Sequence, residues 1–260
     1  MVKRGCEISE RERVDGQMLI FRSVLFNAVF LVYHLALILG LTALIPFPRV
    51  WSQGVVRVWT IGVKAILKVI VGLDVEFRGL QNLPQGPCVI VSKHQSAWDT
   101  FAFYVLLDDP NYILKKELTR IPFWGWCALS CGAISVDRSG GGSALKQLLR
   151  DTKDRLAKGR QVVIFPEGTR TAPGARKEYF PGVAAIDGYT EEPVVPVALN
   201  SGLFWGRGSF LKKPGVITIE ILPPMPKGLK RRQFMADLES RIEGASDKLM
   251  DEARERFPGL

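Results

Sequence analysis

From Ser23 to Ile45 no residue carries a formal charge, and most positions are apolar. A run of this length predicts a helix able to cross a bilayer. The length, and the lack of a small-residue cleavage site, argue against a removable signal peptide. Pro46-Phe47-Pro48-Arg49 ends the segment sharply. Residues 50–72 form a second apolar element of a different kind. Arg57, Lys64 and Lys68 recur at spacings of seven and four on one helical face, with Val55, Val56, Trp59, Ile66, Leu67, Val69 and Ile70 largely elsewhere. That pattern predicts a helix lying in a membrane plane, with Trp51 and Trp59 in the interfacial zone. Positive charge flanks the first run on both sides. It therefore reads either as one span or as half of a helical hairpin dipping into the cytoplasmic leaflet, the hairpin being preferred. Two buried helices of a soluble bundle are the plainer alternative. Residues 1–22 are polar and mixed in charge, a solvated or headgroup-level lead-in, and His34 is expected to be neutral and partnered.

Residues 73–226 change to a shorter period. Strand-like runs recur at Val75–Arg78, Cys88–Ser92, Asn111–Leu114, Ala133–Val136, Gln161–Phe165, Val194–Leu199 and Gly215–Leu222. Helical stretches fall between them at Trp98–Leu107 and at Ser143–Ala157, where Leu145, Leu148, Leu149 and Leu156 form an apolar stripe. This alternation predicts an α/β fold with a mixed, largely parallel sheet flanked by helices. The tail 228–257 is an amphipathic helix with Phe234, Leu238, Ile242, Ala245 and Leu249 at helical spacing. The division expected is 1–72, a membrane-associated helical module, and 73–260, an α/β domain ending in that helix.

Charge changes the picture in one respect. Lys+Arg 35 against Asp+Glu 26 gives +9, so an anionic partner is expected. No RRM, zinc-finger or helix-turn-helix signature is present, and the basic residues lie near apolar stretches, which favours a phospholipid surface over nucleic acid. Cys6, Cys88, Cys127 and Cys131 lack C-x2-C spacing and a histidine cluster, so they read as reduced, idle thiols rather than metal ligands. A cytosol-facing protein is the default.

Two constellations carry chemistry. In Lys93-His94-Gln95-Ser96-Ala97-Trp98-Asp99, histidine and aspartate are five apart, about 140° on a continuous helix, and would diverge there. They meet if His94 lies in a loop after the strand and Asp99 in the first turn of the next helix. Imidazole can then take a proton from an alcohol at neutral pH, with the carboxylate fixing its tautomer. A histidine that merely packs is the plainer reading of this pair alone. In the other constellation, strand Gln161–Phe165 runs into Pro166-Glu167-Gly168-Thr169-Arg170. Gly168 permits a tight turn whose amides can face an anion. Arg170 offers a planar fork matching phosphate. Glu167 is expected either to hold that arginine or to bond a substrate hydroxyl. A turn with a surface ion pair is the plainer alternative.

Taken together, these blocks make the sequence resemble the PlsC-type 1-acylglycerol-3-phosphate acyltransferases, a glycerolipid acyltransferase family. The family's first block, commonly N-H-x4-D, is similar to Lys93-His94-x4-Asp99, with lysine where asparagine is usual. The next block resembles Lys115-Lys116-Glu117-Leu118 through Pro122 to Gly125. The third matches Phe165-Pro166-Glu167-Gly168-Thr169-Arg170 in full, and the fourth is similar to Val195-Pro196-Val197. Val136-Asp137-Arg138 also fits. The blocks fall in the family's order across roughly residues 75–225.

The resemblance implies acyl transfer from acyl-CoA or acyl carrier protein to the 2-hydroxyl of lysophosphatidic acid, giving phosphatidic acid. His94 would be the base, held by Asp99, with no acyl-enzyme and no metal or redox cofactor. Arg170 and Lys115 would bind the acceptor's phosphate, Glu167, Gly168 and Thr169 would shape that pocket, and Arg138 is a further candidate. The implied location is the cytoplasmic face of the inner membrane. Another acceptor (glycerol-3-phosphate, a lyso-ornithine lipid or another lysophospholipid) is the nearest alternative. A non-catalytic lipid-binding protein is a more distant one. A lipase or thioesterase is disfavoured, since no G-x-S-x-G elbow occurs.

Overall fold

In a computed structural model, the structure describes residues 2–260, with side chains from Asp15 onward. Cys6 and the charged side chains of the first 14 residues thus lie outside the described part. Helix α1 runs from Val2 to Leu44 without a break at the polar-to-apolar boundary, and α2 spans Arg49–Ile66, closing a helical hairpin through the proline-containing turn. A π-helical turn, Leu67–Val71, continues α2 and stops at Gly72. Strand β1 (Leu73–Arg78), β2 (Val89–Ser92), helix α3 (Asp99–Leu106), β3 (Pro110–Lys115), α4 (Trp124–Ser130) and β4 (Ile134–Val136) follow. Then come α5 (Gly141–Ala157), β5 (Gln161–Ile164), α6 (Gly182–Asp187), β6 (Val194–Leu199), β7 (Gly215–Ile221) and α7 (Arg231–Arg256).

The strands form one seven-stranded sheet in the order β1-β7-β6-β2-β5-β3-β4. Every pairing is parallel except β6 with β7, as expected of a mixed, largely parallel sheet. Alternate residues of the central strands serve opposite faces because the side-chain period of a strand is two. Ile90, Val163, Val195 and Val197 pack into one cluster with Trp98, Phe101 and the α2 residues Val56, Trp59 and Val63. Val89, Val91, Val162, Ile164 and Val194 face the other, with Leu148 and Leu156 of α5, Val183 and Ile186 of α6, and Phe234, Leu238 and Ile242 of α7. Both faces are covered, so the strands read as continuous apolar runs.

The hairpin departs from the sequence expectation in three ways. Trp59 is a core residue, in edge contact with Phe101 at 5.0 Å, and not an interfacial anchor. The basic residues of this second element find protein partners: Arg57 Nε of α2 donates to the Tyr104 carbonyl (3.0 Å), and Lys68 of the π-helical turn pairs with Asp74 (2.7 Å). Arg57 is thus tied to the end of α3, while Lys68 stays exposed in a surface ion pair with Asp74. His34 Nδ1 is buried without a partner; the ring stacks on Phe30 at 5.7 Å. By length and composition Asp15–Leu44 can cross a membrane, and only 17 % of its most apolar stretch is buried in the protein, so it is no core helix. Its exposed side chains include Leu31, Val32, Leu35 and Leu39.

At the turn end of the hairpin, Arg49 Nη1 donates to Asp109 Oδ1 (2.7 Å), its Nη2 pairs with Oδ2, and Gln53 joins the same carboxylate. This pins α2 to the loop before β3. Burial works to raise the Asp109 carboxyl, but the hydrogen bonds and charge of Arg49, aided by Gln53 and Asn111, outweigh it and hold Asp109 below the usual range.

Candidate active site

Strand β2 delivers His94 to the C-terminal edge of the sheet, and α3 begins at Asp99, so the two side chains meet across a loop rather than along a helix. His94 Nδ1 lies 3.2 Å from Asp99 Oδ2. The same oxygen accepts the Gln95 and Ser96 amides at 2.7 and 2.8 Å, while Oδ1 accepts the Ser201 hydroxyl at 2.7 Å. Four donors therefore fix a fully buried carboxylate. With Nδ1–H held by Asp99, the free lone pair of neutral imidazole is on Nε2. Among the described residues nothing in the protein bonds Nε2. The ring lies flat on Phe165, centroids 4.0 Å apart. This packing and the Asp99 contact leave the imidazole little freedom to turn.

The loop after β5 grips the backbone of His94 from both sides. Glu167 Oε2 accepts the His94 amide (2.8 Å), and the Thr171 amide donates to the His94 carbonyl (2.8 Å). Glu167 Oε1 accepts from Lys93 Nζ at 2.6 Å. Lys93 also reaches Glu243 Oε1 on α7 at 2.7 Å, which Tyr179 Oη joins at 2.8 Å. Arg176 pairs with Glu243 and with Asp247. Lys93 and Glu167 are 1 % and 0 % exposed. Burial pushes the Glu167 carboxyl up, against the pull of Lys93 and the His94 amide. The expectation that Glu167 holds Arg170, bonds a substrate hydroxyl or binds phosphate is corrected. Both of its oxygens are engaged inside the protein, and none of its surface reaches solvent.

The order β2-β5-β3-β4 brings four parallel strand exits to one edge. His94 follows β2, Arg170 follows β5, Lys115 ends β3 and Arg138 follows β4. Such an edge is where open α/β sheets hold ligands. Lys115 and Thr169 are half-buried. Arg170 contributes its carbonyl to Arg207 Nη1 (3.3 Å), and among the described residues its guanidinium has no protein partner. Gly168 sits at φ 65°, and its amide closes the turn on the Phe165 carbonyl at 3.0 Å. Arg138 Nη1 donates to the Gly168 carbonyl (3.1 Å) while its guanidinium lies 4.6 Å over the Phe180 ring. A Cβ at Gly168 would come within 2.4 Å of both Arg138 and Phe180, so glycine is required for fit as well as for φ.

Sequence reasoning missed Ser201 and Glu243, and noted Lys93 only as a departure from the usual asparagine. Ser201 and Glu243 are remote in sequence and carry no local motif. Lys93 did carry a signal: a lysine directly after a short, mostly apolar strand starts from the interior, and a buried ammonium needs carboxylate partners. Cys88, Cys127 and Cys131 are buried and unpaired, and burial pushes the Cys88 thiol up to about 12, leaving it no role as a nucleophile.

Comparison with known proteins places this geometry. The family model described as Acyltransferase matches residues 74–200. A 1-acyl-sn-glycerol-3-phosphate acyltransferase of Pseudomonas aeruginosa is 37% identical over 209 residues, 80% of this chain and 81% of that one. A chloroplastic protein of the same name from Brassica napus is 31% identical over 70% of this chain, but only 49% of its own length is matched. In fold, the chain is similar to the crystal structure of the 1-acyl-sn-glycerophosphate (LPA) acyltransferase PlsC from Thermotoga maritima. The TM-score is 0.69, with 91% of this chain and 97% of that one covered, at 21% identity. Likeness to the Pseudomonas enzyme across four fifths of both chains, with the His-Asp pair and the Glu167 loop assembled on one sheet edge, shows that the chain belongs to the 1-acyl-sn-glycerol-3-phosphate acyltransferase family.

Proposed function

We propose that the protein moves an acyl chain from a thioester, acyl-CoA or acyl carrier protein, to the 2-hydroxyl of lysophosphatidic acid, making phosphatidic acid. The observation that carries the reading is the His94 ring, tied through Nδ1 to a fourfold-bonded Asp99 and open at Nε2. Nε2 takes the hydroxyl proton as the oxygen attacks the thioester carbonyl, and the tetrahedral intermediate expels the thiolate. A C–O bond forms, a C–S bond breaks, and the imidazolium returns its proton to the sulfur. Asp99 stabilises the imidazolium between the two steps. The alcohol is itself the nucleophile, so no acyl-enzyme, metal or redox group is required.

Arg170 and Lys115 are assigned to the acceptor's phosphate, with Gly168 and Thr169 shaping the turn beside it and Arg138 bracing that turn. Glu167 is a positioning residue, acting through the His94 amide. The apolar α1 supports a membrane-seated enzyme whose catalytic domain meets cytosolic thioesters at the inner face of the cell membrane.

The test is acyl transfer by purified protein, wild type beside His94→Ala. Lysophosphatidic acid, glycerol-3-phosphate and lyso-ornithine lipid are each offered with both donors. Phosphatidic acid from the wild type, reduced about 10²–10⁴-fold in the variant, is expected. Activity confined to another acceptor replaces the substrate, and an undiminished rate in the variant removes the base.

A further inference from the structure

The segment between β3 and β4 carries an exposed apolar face to which the chemistry above assigns no role. In α4 and its two flanking residues, Gly125, Cys127 and Cys131 are buried, while Phe123, Trp126 and Leu129 recur at spacings of three on the outside. Phe123 and Trp126 are each 49% exposed and meet edge-on at 5.3 Å. Phe123 has φ 62° and ψ −60°, and the Trp124 amide donates to the Pro122 carbonyl at 2.7 Å. That is a γ-turn of the positive-φ kind, a strained geometry for any residue with a side chain. Two residues on, Gly125 packs tightly against Thr119, where a Cβ would lie 2.3 Å from the carbonyl oxygen. The chain thus carries a strained backbone at a residue whose aromatic ring points outward. In water alone nothing rewards this, and glycine would relieve the strain.

The neighbours of α4 say what covers it. The inner side of α4 rests on the apolar helix α1, where Cys127 Sγ lies 3.8 Å from Thr42 Oγ1 and 3.9 Å from the Ile38 carbonyl. Leu39 of α1, 70% exposed, belongs to the stretch long enough to cross a membrane. At the same end, the α1–α2 turn shows another exposed aromatic stack, Phe47 on Trp51 at 5.2 Å. The charge at that turn, Arg49, is neutralised by Asp109. Just before the patch, Lys115, Lys116 and Arg120 outnumber Glu117, with Lys116 tied to Asp137. Aromatic rings flanked by cations beside an apolar helix suit the boundary of an anionic bilayer.

We propose that residues 118–130 form a second membrane-seated element, with Phe123, Trp126 and Leu129 inserted into the lipid layer beside the α1–α2 turn. The exit of β3, and Lys115 with it, then opens at headgroup level. This placement goes beyond the acyl-transfer reading and does not depend on it.

The experiment is spin-label depth measurement on the full chain, reconstituted in vesicles of phosphatidylethanolamine and phosphatidylglycerol. In a Cys6→Ser background whose three other cysteines are buried, labels are placed singly at Trp126→Cys, Phe123→Cys, Leu39→Cys and the exposed Lys158→Cys just after α5. Collision with oxygen should rise several-fold, and collision with a water-soluble nickel chelate fall several-fold, at 126, 123 and 39 relative to 158. Lipid contact at 39 with aqueous values at both 123 and 126 overturns the proposal while leaving α1 in the membrane. Aqueous values at all four positions overturn it together with the membrane placement of α1. Circular dichroism melts of each labelled chain identify an unfolded variant, and two independent patch positions keep the result decisive if one fails to fold.

Discussion

Lys93 Nζ lies 2.7 Å from Glu243 Oε1, joining the residue before His94 to the last long helix across 150 positions of sequence. The same ammonium reaches Glu167, whose other oxygen holds the His94 amide. A single cation therefore couples α7, the β5 loop and the catalytic loop. Lys93→Met leaves the buried Glu167 without its cation, while Glu243 keeps Arg176, and removing one partner of a buried pair costs about 3–5 kcal/mol. We expect a clear loss of denaturant stability and a fall in kcat larger than the change in KM. Lys93→Met with Glu167→Gln should recover part of the stability, because the stranded charge is gone. Equal stability of the single and double variants would contradict the coupling.

Ser201 donates to the Asp99 oxygen that does not face His94. Hydrogen bonds to charged groups are worth about 1.5–3 kcal/mol. Ser201→Ala should lower kcat by roughly tenfold, well short of the His94→Ala loss, with KM little changed. Steady-state kinetics with lysophosphatidic acid checks this, and Ser201→Thr should retain most of the activity.

The guanidinium of Arg170 has no protein partner among the described residues, so its removal leaves no carboxylate stranded. Arg170→Ala should therefore leave the fold intact and raise KM for a phosphate-bearing acceptor by about 10–100-fold, the equivalent of one charged hydrogen-bonding group. An acceptor without a phosphomonoester should lose much less. Identical losses with both would detach Arg170 from the phosphate.

Asp109, held low by Arg49, contributes stability that is present above the unfolded carboxyl value of about 3.9. That contribution is lost as pH falls through the still lower folded value. The stability gap between wild type and Asp109→Asn should hence be constant from neutral pH down to about 4 and shrink below it. Denaturant melts at a series of pH values measure this, and a gap that widened in acid would mean another carboxylate controls the hairpin's docking.

The sequence determined the elements because each rests on local information. All seven strands were legible as short runs between breakers, α3 as a helical stretch, and α5 and the C-terminal α7 as periodic stripes. The loop-then-helix placement of His94 and Asp99 followed from geometry alone, since a separation of five cannot converge on one helix. Short α4 and α6 escaped because one or two turns give too little periodicity to detect.

Tertiary structure decided what depends on distant partners. Whether Arg57 faces lipid or a carbonyl of α3, and whether Trp59 anchors or fills the core, turned on which side of α2 the sheet occupies. Glu167 read as a substrate contact in sequence because its neighbours there are Gly168 and Arg170. In space its neighbours are Lys93 and the His94 amide. Ser201 and Glu243 enter the site only because β6 lies beside β2 and α7 crosses beneath them, a juxtaposition fixed by packing an apolar sheet on both faces.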